Sequence, residues 1–141
     1  MIKKASTPEI LTQAGIRPSI QRIAVTDYVL SHHTHPTVDE IYRDLTPEYP
    51  TLSRTTVYNT LKRLVEAKVI AQIDIESGNT RFDGTTTPHA HFMCTECGNI
   101  LDIRLTEPLK MPADLLVTYT QVLTYGYCAD CATKMKTDVQ L

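Results

Sequence analysis

The 141-residue sequence lacks any apolar run approaching the roughly 20 residues that a membrane-spanning helix requires. Two lysines near its beginning are not followed by an apolar segment, so we expect no secretory signal and a cytoplasmic location. An excess of positive charge is absent too: 14 lysines and arginines face 16 acidic residues, for a net charge of −2. Overall charge therefore gives no reason to expect nucleic-acid binding. The hydrophobic content of 42% is typical of a core-forming protein.

The basic residues are nevertheless unevenly distributed. Residues 1–82 contain ten basic and nine acidic residues, a net +1, whereas residues 83–141 contain four and seven, a net −3. Residues 53–68 contain four basic residues and only one acid, Glu66. Because a nearly neutral protein can still present a basic face, this stretch is the candidate for one.

Helix-start signals recur through the first half of the chain. Thr7 followed by Pro8 suits the beginning of a short helix that Gly15 ends. Ser19 precedes a second apolar-periodic segment. Residues 37–40 have the form of a capping box, which predicts a third helix.

A fourth helix precedes a β-hairpin. Ser53 is its predicted cap, and the spacing of its apolar residues gives one inward face, made of Val57, Leu61, Leu64 and Val65. The apolar period changes to two at residues 71–76, and residues 77–79 turn the chain back. Helices followed by a hairpin are the order of a winged helix-turn-helix, which we predict for residues 1–83.

The second half predicts a small α/β domain, so the fold class is α+β. Strands are expected at residues 89–94, 99–105 and 117–125. Two prolines limit any helix near residues 108–112 to a turn or two, and a short helix is expected after Cys131. We predict a hinge at residues 84–88 and a second domain at residues 89–141.

All four cysteines lie in the second half, as two pairs with two residues between their members: Cys94, Cys97, Cys128 and Cys131. Two such pairs let four thiolates surround one ion, and a reducing cytosol disfavours disulfides. The alternative is two unrelated pairs, or one redox-active pair in a thioredoxin-like fold, which leaves the second pair unexplained. We expect one structural zinc ion per chain, with no open position for catalysis.

The outward face of the fourth helix carries hydroxyl, aromatic, amide and cationic side chains: Arg54, Thr55, Thr56, Tyr58, Asn59, Lys62 and Arg63. Short hydroxyls and a tyrosine at a helix start suit base edges in the major groove, and cations suit phosphates. Arg81 of the hairpin is expected to add a contact to the DNA backbone. The alternative is an ordinary solvated helix, but the winged-helix order favours DNA binding.

Three histidines and two aspartates offer a second metal site. His89 and His91 point to the same face of a strand, and Asp102 follows on the next strand. Asp83 ends the hairpin, and His35 begins the capping-box helix. Such nitrogen and oxygen ligands suit Fe²⁺, Mn²⁺ or Zn²⁺. The alternatives are exposed strand histidines and a solvated loop histidine. An ion that bound His35 together with the others would join the two halves.

These residues, in this order, resemble the ferric uptake regulator (Fur) superfamily of metal-dependent repressors. The resemblance covers nearly the whole chain, through motifs at residues 15–17, 21–22, 35–42, 53–61, 81–83, 89–91, 94–98 and 128–131. The chain most resembles the peroxide-responsive repressor (PerR) branch, whose regulatory ligands fall on His35, Asp83, His89, His91 and Asp102. The iron-uptake branch typically has Glu at the two Asp positions. Arg17 joins the predicted DNA contacts.

The resemblance implies a homodimer, joined through the second halves, that binds a palindromic double-stranded operator when one Fe²⁺ or Mn²⁺ per chain fills the regulatory site. It also implies that Fe²⁺ reacts with peroxide and oxidises His35 or His89, which releases the repressor from DNA. The alternative in this superfamily is a sensor of iron, manganese or zinc supply that ignores peroxide. Residues 103–127 are shorter than usual for the family, which bears on the dimer.

We do not expect an enzyme. A zinc-dependent hydrolase would need a nucleophile or general base near the His/Asp group, and the sequence offers none. A zinc-ribbon interaction module would leave the winged-helix half unexplained.

Overall fold

A computed structural model describes residues 4–138 and divides the chain into two compact units, Met1–Thr86 and Thr87–Leu141. Residues 1–3 of the first predicted domain and residues 139–141 of the second lie outside the described residues. Within the described part, no helix has both the length and the apolar character needed to cross a bilayer. The hinge at residues 84–88 stays a prediction.

The first unit contains four helices and a two-stranded hairpin, which together form a winged helix-turn-helix. In chain order these elements are α1 (Thr7–Gln13), α2 (Ile20–Ser31), α3 (Val38–Leu45), α4 (Arg54–Glu66), β1 (Ala71–Glu76) and β2 (Asn79–Asp83). The strands pair antiparallel, with Ala71 opposite Asp83 at the open end. Gly78 has φ of +82°, a backbone conformation that a turn requires and glycine adopts without strain. The predicted domain type is confirmed.

Side-chain caps begin the four helices. Ser19 Oγ, Thr37 Oγ1 and Ser53 Oγ each accept a hydrogen bond from the backbone N–H three residues later, as predicted. The prediction for α1 is wrong by one residue, because Ser6 is its cap rather than Thr7. Ser6 forms a full capping box with Glu9, whose carboxylate accepts from the Ser6 N–H at 2.9 Å.

The core of the first unit is built from buried residues of α1 to α4 together with Phe82 of β2. Three of the four predicted inward residues of α4 are fully buried, and Val65 packs against the core as a half-buried residue. Gly84 follows β2 closely against α2: a Cβ there would lie 2.9 Å from the carbonyl oxygen of Val29. The chain leaving the hairpin is therefore packed tightly, and no larger residue fits at Gly84 without a shift.

The second unit is a three-stranded sheet with a terminal helix. Its elements are β3 (His89–Cys94), β4 (Ile100–Arg104), β5 (Val122–Gly126) and α5 (Ala129–Asp138). β3 is central, antiparallel to β4 and parallel to β5. The predicted helix begins two residues before Cys131 rather than after it, at Ala129.

The strand predicted at residues 117–125 is wrong at its beginning. β5 pairs with β3 from Ala90↔Val122 onward, and β3 itself begins only one residue earlier. Residues 117–120 therefore lie beyond the start of β3 and have no β3 residues to pair with, and alternation of apolar residues alone does not make a strand there.

Candidate metal centres and nucleic-acid interface

The four cysteines converge in the second unit. Their Sγ atoms lie within 4.8 Å of one another, and those of Cys97 and Cys128 are 3.8 Å apart. Sulfur ligands about 2.3 Å from a tetrahedral zinc ion are separated by about 3.8 Å. The four thiols therefore fit one zinc ion, and they leave no position for a substrate.

The local fold explains this convergence. Gly98 has φ of +76° and donates its N–H to the carbonyl of Cys94, which closes the first cysteine turn. Cys128 immediately precedes α5, and Cys131 lies in its first turn. β3 and β5 run parallel into these two turns, with Cys94 opposite Gly126, and so bring them together.

Hydrogen bonds shift the pKa values of these thiols in opposite directions. Backbone N–H donors, above all that of Cys97 at 3.5 Å from Cys94 Sγ, lower the pKa of the Cys94 thiol to about 6. A hydrogen bond with the Cys128 thiol raises the pKa of Cys131 to about 12. Four thiolates this close together require a compensating cation, and zinc supplies it.

His89, His91 and Asp102 form a second ligand group within the same unit. β3 alternation places both histidines on one face, and the β3–β4 register puts Asp102 directly opposite His91. The two imidazole Nε2 atoms are 2.9 Å apart, and Asp102 Oδ1 lies 3.5 Å from His89 Nε2 and 3.3 Å from His91 Nε2. His89 Nδ1 lies 2.7 Å from the carbonyl oxygen of Thr87, which leaves Nε2 to bind a metal.

His35 and Asp83 form a buried pair within the first unit. His35 Nε2 lies 3.8 Å from Asp83 Oδ2, and only 5% and 2% of the two side chains are exposed. The other carboxylate oxygen of Asp83 accepts the backbone N–H of Thr85 at 2.9 Å. His35 is therefore no solvated loop residue, since its ring is held against a carboxylate.

The donors in these two groups suit a hard or borderline divalent cation such as Fe²⁺, Mn²⁺ or Zn²⁺. Each unit holds at least one imidazole and one carboxylate, and of these residues only Asp102 is exposed. The cysteine cluster thus suits a structural zinc, and imidazole–carboxylate donors suit a regulatory metal.

The outward face of α4 carries the residues predicted to contact nucleic acid. Its exposed residues include Arg54, Thr55, Tyr58, Asn59 and Lys62. Tyr58 is 52% exposed, so its ring and hydroxyl are accessible on this face.

Three further observations refine the predicted DNA contacts. Thr56 is half-buried, and its Oγ1 lies 2.9 Å from the hydroxyl of the cap, Ser53. Arg54 pairs with Asp39 of α3 at 3.0 Å and lies over the ring of Tyr42, contacts that the sequence alone did not reveal. Arg17 is exposed just before α2, where its carbonyl accepts from Arg22.

The expected contact between Arg81 and the DNA backbone stays a prediction, and the structure gives this side chain protein partners. Its side chain is only 18% exposed, and its guanidinium binds Glu76 Oε1 at 2.6 Å. The same guanidinium donates to the carbonyl oxygen of His35 at 3.1 Å. Sequence reasoning missed these partners because Glu76 and His35 reach Arg81 only through the hairpin and the loop before α3.

A winged helix-turn-helix joined to a unit with a four-cysteine cluster and imidazole–carboxylate groups defines the class of metal-responsive DNA-binding regulators. The model of the ferric uptake regulator family matches residues 13–122. The chain belongs to that family.

Named relatives agree with this assignment. The peroxide-responsive repressor PerR of Staphylococcus aureus strain Mu50 is 38% identical over 130 residues, 88% of each chain. The solved structure of Streptococcus pyogenes PerR, described in terms of peroxide sensing and gene regulation, is 31% identical; the match has a TM-score of 0.53 and covers 92% of this chain and 95% of that one. Helicobacter pylori Fur has a TM-score of 0.69 at 18% identity, covers 94% and 97% of the two chains, and shows the fold.

Proposed function

We propose that the chain is a metal-dependent transcriptional repressor, not an enzyme, whose regulatory Fe²⁺ or Mn²⁺ binds ligands from both units. The ligands are His35, Asp83, His89, His91 and Asp102. The observation that carries the proposal is the buried His35–Asp83 pair inside the winged-helix unit. A buried imidazole beside a carboxylate at the start of α3 gives a metal a direct hold on the DNA-binding unit.

In this proposal the metal acts by shifting populations. An ion that gains ligands from both units favours the arrangement in which all of them bind, and it shifts the equilibrium only by that difference in affinity. A tenfold gain in operator occupancy requires a coupling free energy of about 1.4 kcal/mol. One extra imidazole ligand from His35 suffices for such an effect.

The proposed repressor is a homodimer that binds a palindromic operator through the exposed start of α4 in each copy, and it works in the cytoplasm with that DNA. Exposed apolar side chains of the second unit support dimerisation. They include Leu101, Ile103, Leu116, Tyr119 and Tyr125, from 41% to 92% exposed. A second copy would cover this surface, and its two-fold axis would match two half-sites.

We further propose that the repressor senses peroxide, as the PerR relatives are named for doing. Iron held by the His/Asp ligands would catalyse the reduction of peroxide, with the histidine ring as the final donor of both electrons. One peroxide oxygen replaces hydrogen on a ring carbon of His35 or His89, and the other leaves as water. The altered ring no longer binds metal as before, so the DNA-competent arrangement loses its stabilisation.

Operator binding by the zinc-loaded chain tests the regulatory site. DNA duplexes are selected from a random pool with Mn²⁺ present and then tested by gel shift with Mn²⁺ or with a mild chelator. We expect Mn²⁺ to raise the affinity at least tenfold. His35→Ala should abolish this gain while His33→Ala, which changes an exposed neighbour in the same loop, should keep it. Equal Mn²⁺ dependence in both variants would remove His35 from the mechanism.

A further inference from the structure

His35 has an unusual backbone. Its φ is +55°, in the left-handed region that side-chain-bearing residues rarely occupy. Pro36 follows, and a residue before proline prefers an extended conformation instead. Something in the surrounding structure must therefore hold the His35 peptide in place.

Arg81 is placed to do this. Backbone contacts first align the two segments: Phe82 donates its N–H to the Pro36 carbonyl at 3.0 Å, and Thr37 forms an isolated bridge with Arg81. The Arg81 guanidinium then donates to the His35 carbonyl oxygen at 3.1 Å. This hydrogen bond fixes the peptide group between His35 and Pro36, directly after the left-handed φ of His35.

Two carboxylates fix the guanidinium itself. Glu76 lies near the turn of the hairpin. Its Oε1 accepts from Arg81 Nε at 2.7 Å and lies 2.6 Å from Arg81 Nη2. Glu40 of α3 lies 3.8 Å from Arg81 with one carboxylate oxygen, and with the other it accepts the Thr37 N–H of the capping box. With 18% exposure, Arg81 is largely shielded from water, which strengthens such charged contacts.

We propose that Arg81 is a positioning residue for the regulatory metal: it holds the His35 peptide in its left-handed conformation and so fixes the imidazole against Asp83. The inference rests on the proposed role of His35 as a ligand. Arg81 also connects β1, β2 and the start of α3. Metal affinity at His35 therefore depends on the position of the β1–β2 wing, and metal binding in turn stabilises that position.

The arginine fork is essential to this arrangement, because one planar group bonds a carboxylate on one edge and a carbonyl on another. Arg81→Lys keeps the charge but offers a single ammonium. In the full-length zinc-loaded chain, we expect Arg81→Lys to weaken Mn²⁺ binding at least tenfold. In the Mn²⁺-free protein, the NMR amide and ring signals of His35 should broaden or double.

Arg63→Lys is the matched control. Arg63 likewise donates to the carbonyl of a residue with positive φ, Gly15, at 2.8 Å, but that residue offers no metal ligand. The Mn²⁺ affinity of the Arg63→Lys variant should stay within twofold of that of the unaltered chain. Glu76→Gln, which weakens the anchor of Arg81, should cause a smaller loss than Arg81→Lys and serves if that variant fails to fold.

A double-substitution cycle decides whether Arg81 acts through His35. In a His35→Ala background, Arg81→Lys and Glu76→Gln should cause no further loss of Mn²⁺ affinity. Persistence of the full loss there, or an affinity within twofold of the unaltered chain in the single Arg81→Lys variant, would overturn the inference alone. If His35→Ala itself leaves Mn²⁺ affinity unchanged, the proposed ligand set fails and the inference fails with it.

Discussion

His35 Nε2 and Asp83 Oδ2 lie 3.8 Å apart inside the winged-helix unit, with almost no side-chain surface left to solvent. The histidine begins the segment that leads into α3, and the aspartate is the last residue of the hairpin. A cation bound by both would link the wing to the helix-turn-helix. This relationship is the physical basis of the proposed switch.

Peroxide treatment should modify a histidine only in the iron form. Mass spectrometry of the Fe²⁺-loaded chain should find one added oxygen on the peptide that contains His35 or on the one that contains His89, because the reaction needs a reducing ion at the ligands. The Mn²⁺-loaded chain is the control and should stay unmodified. An unmodified iron form would instead favour a sensor of metal supply that ignores peroxide.

Removing one zinc ligand should unfold the second unit selectively. Cys94→Ser should lose the zinc, found at one per chain in the unaltered protein by elemental analysis, because metal binding supplies folding free energy directly. NMR signals of β3 and β5 should then collapse to unfolded positions, while signals of the α2 and α4 core serve as the internal control and stay. Retention of a folded second unit without zinc would refute the structural role.

A phosphate contact by Lys62 should appear as salt dependence. Lys62→Gln should weaken binding to all operator sequences alike and reduce the slope of log affinity against log salt by about 1. Lys134→Gln is the control, since Lys134 is an exposed lysine on α5 of the other unit. Unchanged slopes in the Lys62 variant would remove this residue from the interface.

The hydrogen bond between Tyr28 and Asp44 should make stability depend on pH. Burial and this hydrogen bond raise the pKa of Tyr28 to about 12, and the same bond lowers the pKa of Asp44. The tyrosine contribution is complete below its unfolded pKa of 10.0 and is lost as the pH rises through about 12. The Asp44 contribution is present above its unfolded pKa of 3.8 and is lost as the pH falls through the depressed folded value.

Tyr28→Phe should therefore reduce the free energy of unfolding at neutral pH and flatten its decline toward both acid and alkali. Urea unfolding at acidic, neutral and alkaline pH measures this, with Tyr49→Phe as the control on a half-buried tyrosine of the same unit. A pH profile identical to that of the unaltered chain would contradict the assignment.

The local features of this protein were predictable because they depend on residues near one another in the sequence. Capping by Ser19, Thr37 and Ser53 is such a feature, because each side chain accepts a hydrogen bond from the backbone N–H only three residues later. The pairing of His91 with Asp102 follows from a short antiparallel connection whose register one tight turn sets.

What the sequence did not reveal depends on long-range contacts. The left-handed backbone of His35 and its hold by Arg81 arise only when β2 lies beside the loop before α3. The predicted beginning of β5 was wrong for a similar reason. The extent of a strand is set by the neighbouring strand that it pairs with, and not by the alternation of its own apolar residues. Arg54 looked like a freely exposed cation until α3 placed Asp39 beside it.

Counting the histidine ligands of the regulatory metal tests the central claim most directly. Electron–nuclear double resonance on the Mn²⁺-loaded chain with ¹⁵N-labelled histidine measures how many imidazole nitrogens bind the ion. The proposed ligand set predicts three, from His35, His89 and His91, and two in the His35→Ala variant. Two nitrogens in both proteins would show that the winged-helix unit contributes no histidine, and the proposed switch would be wrong.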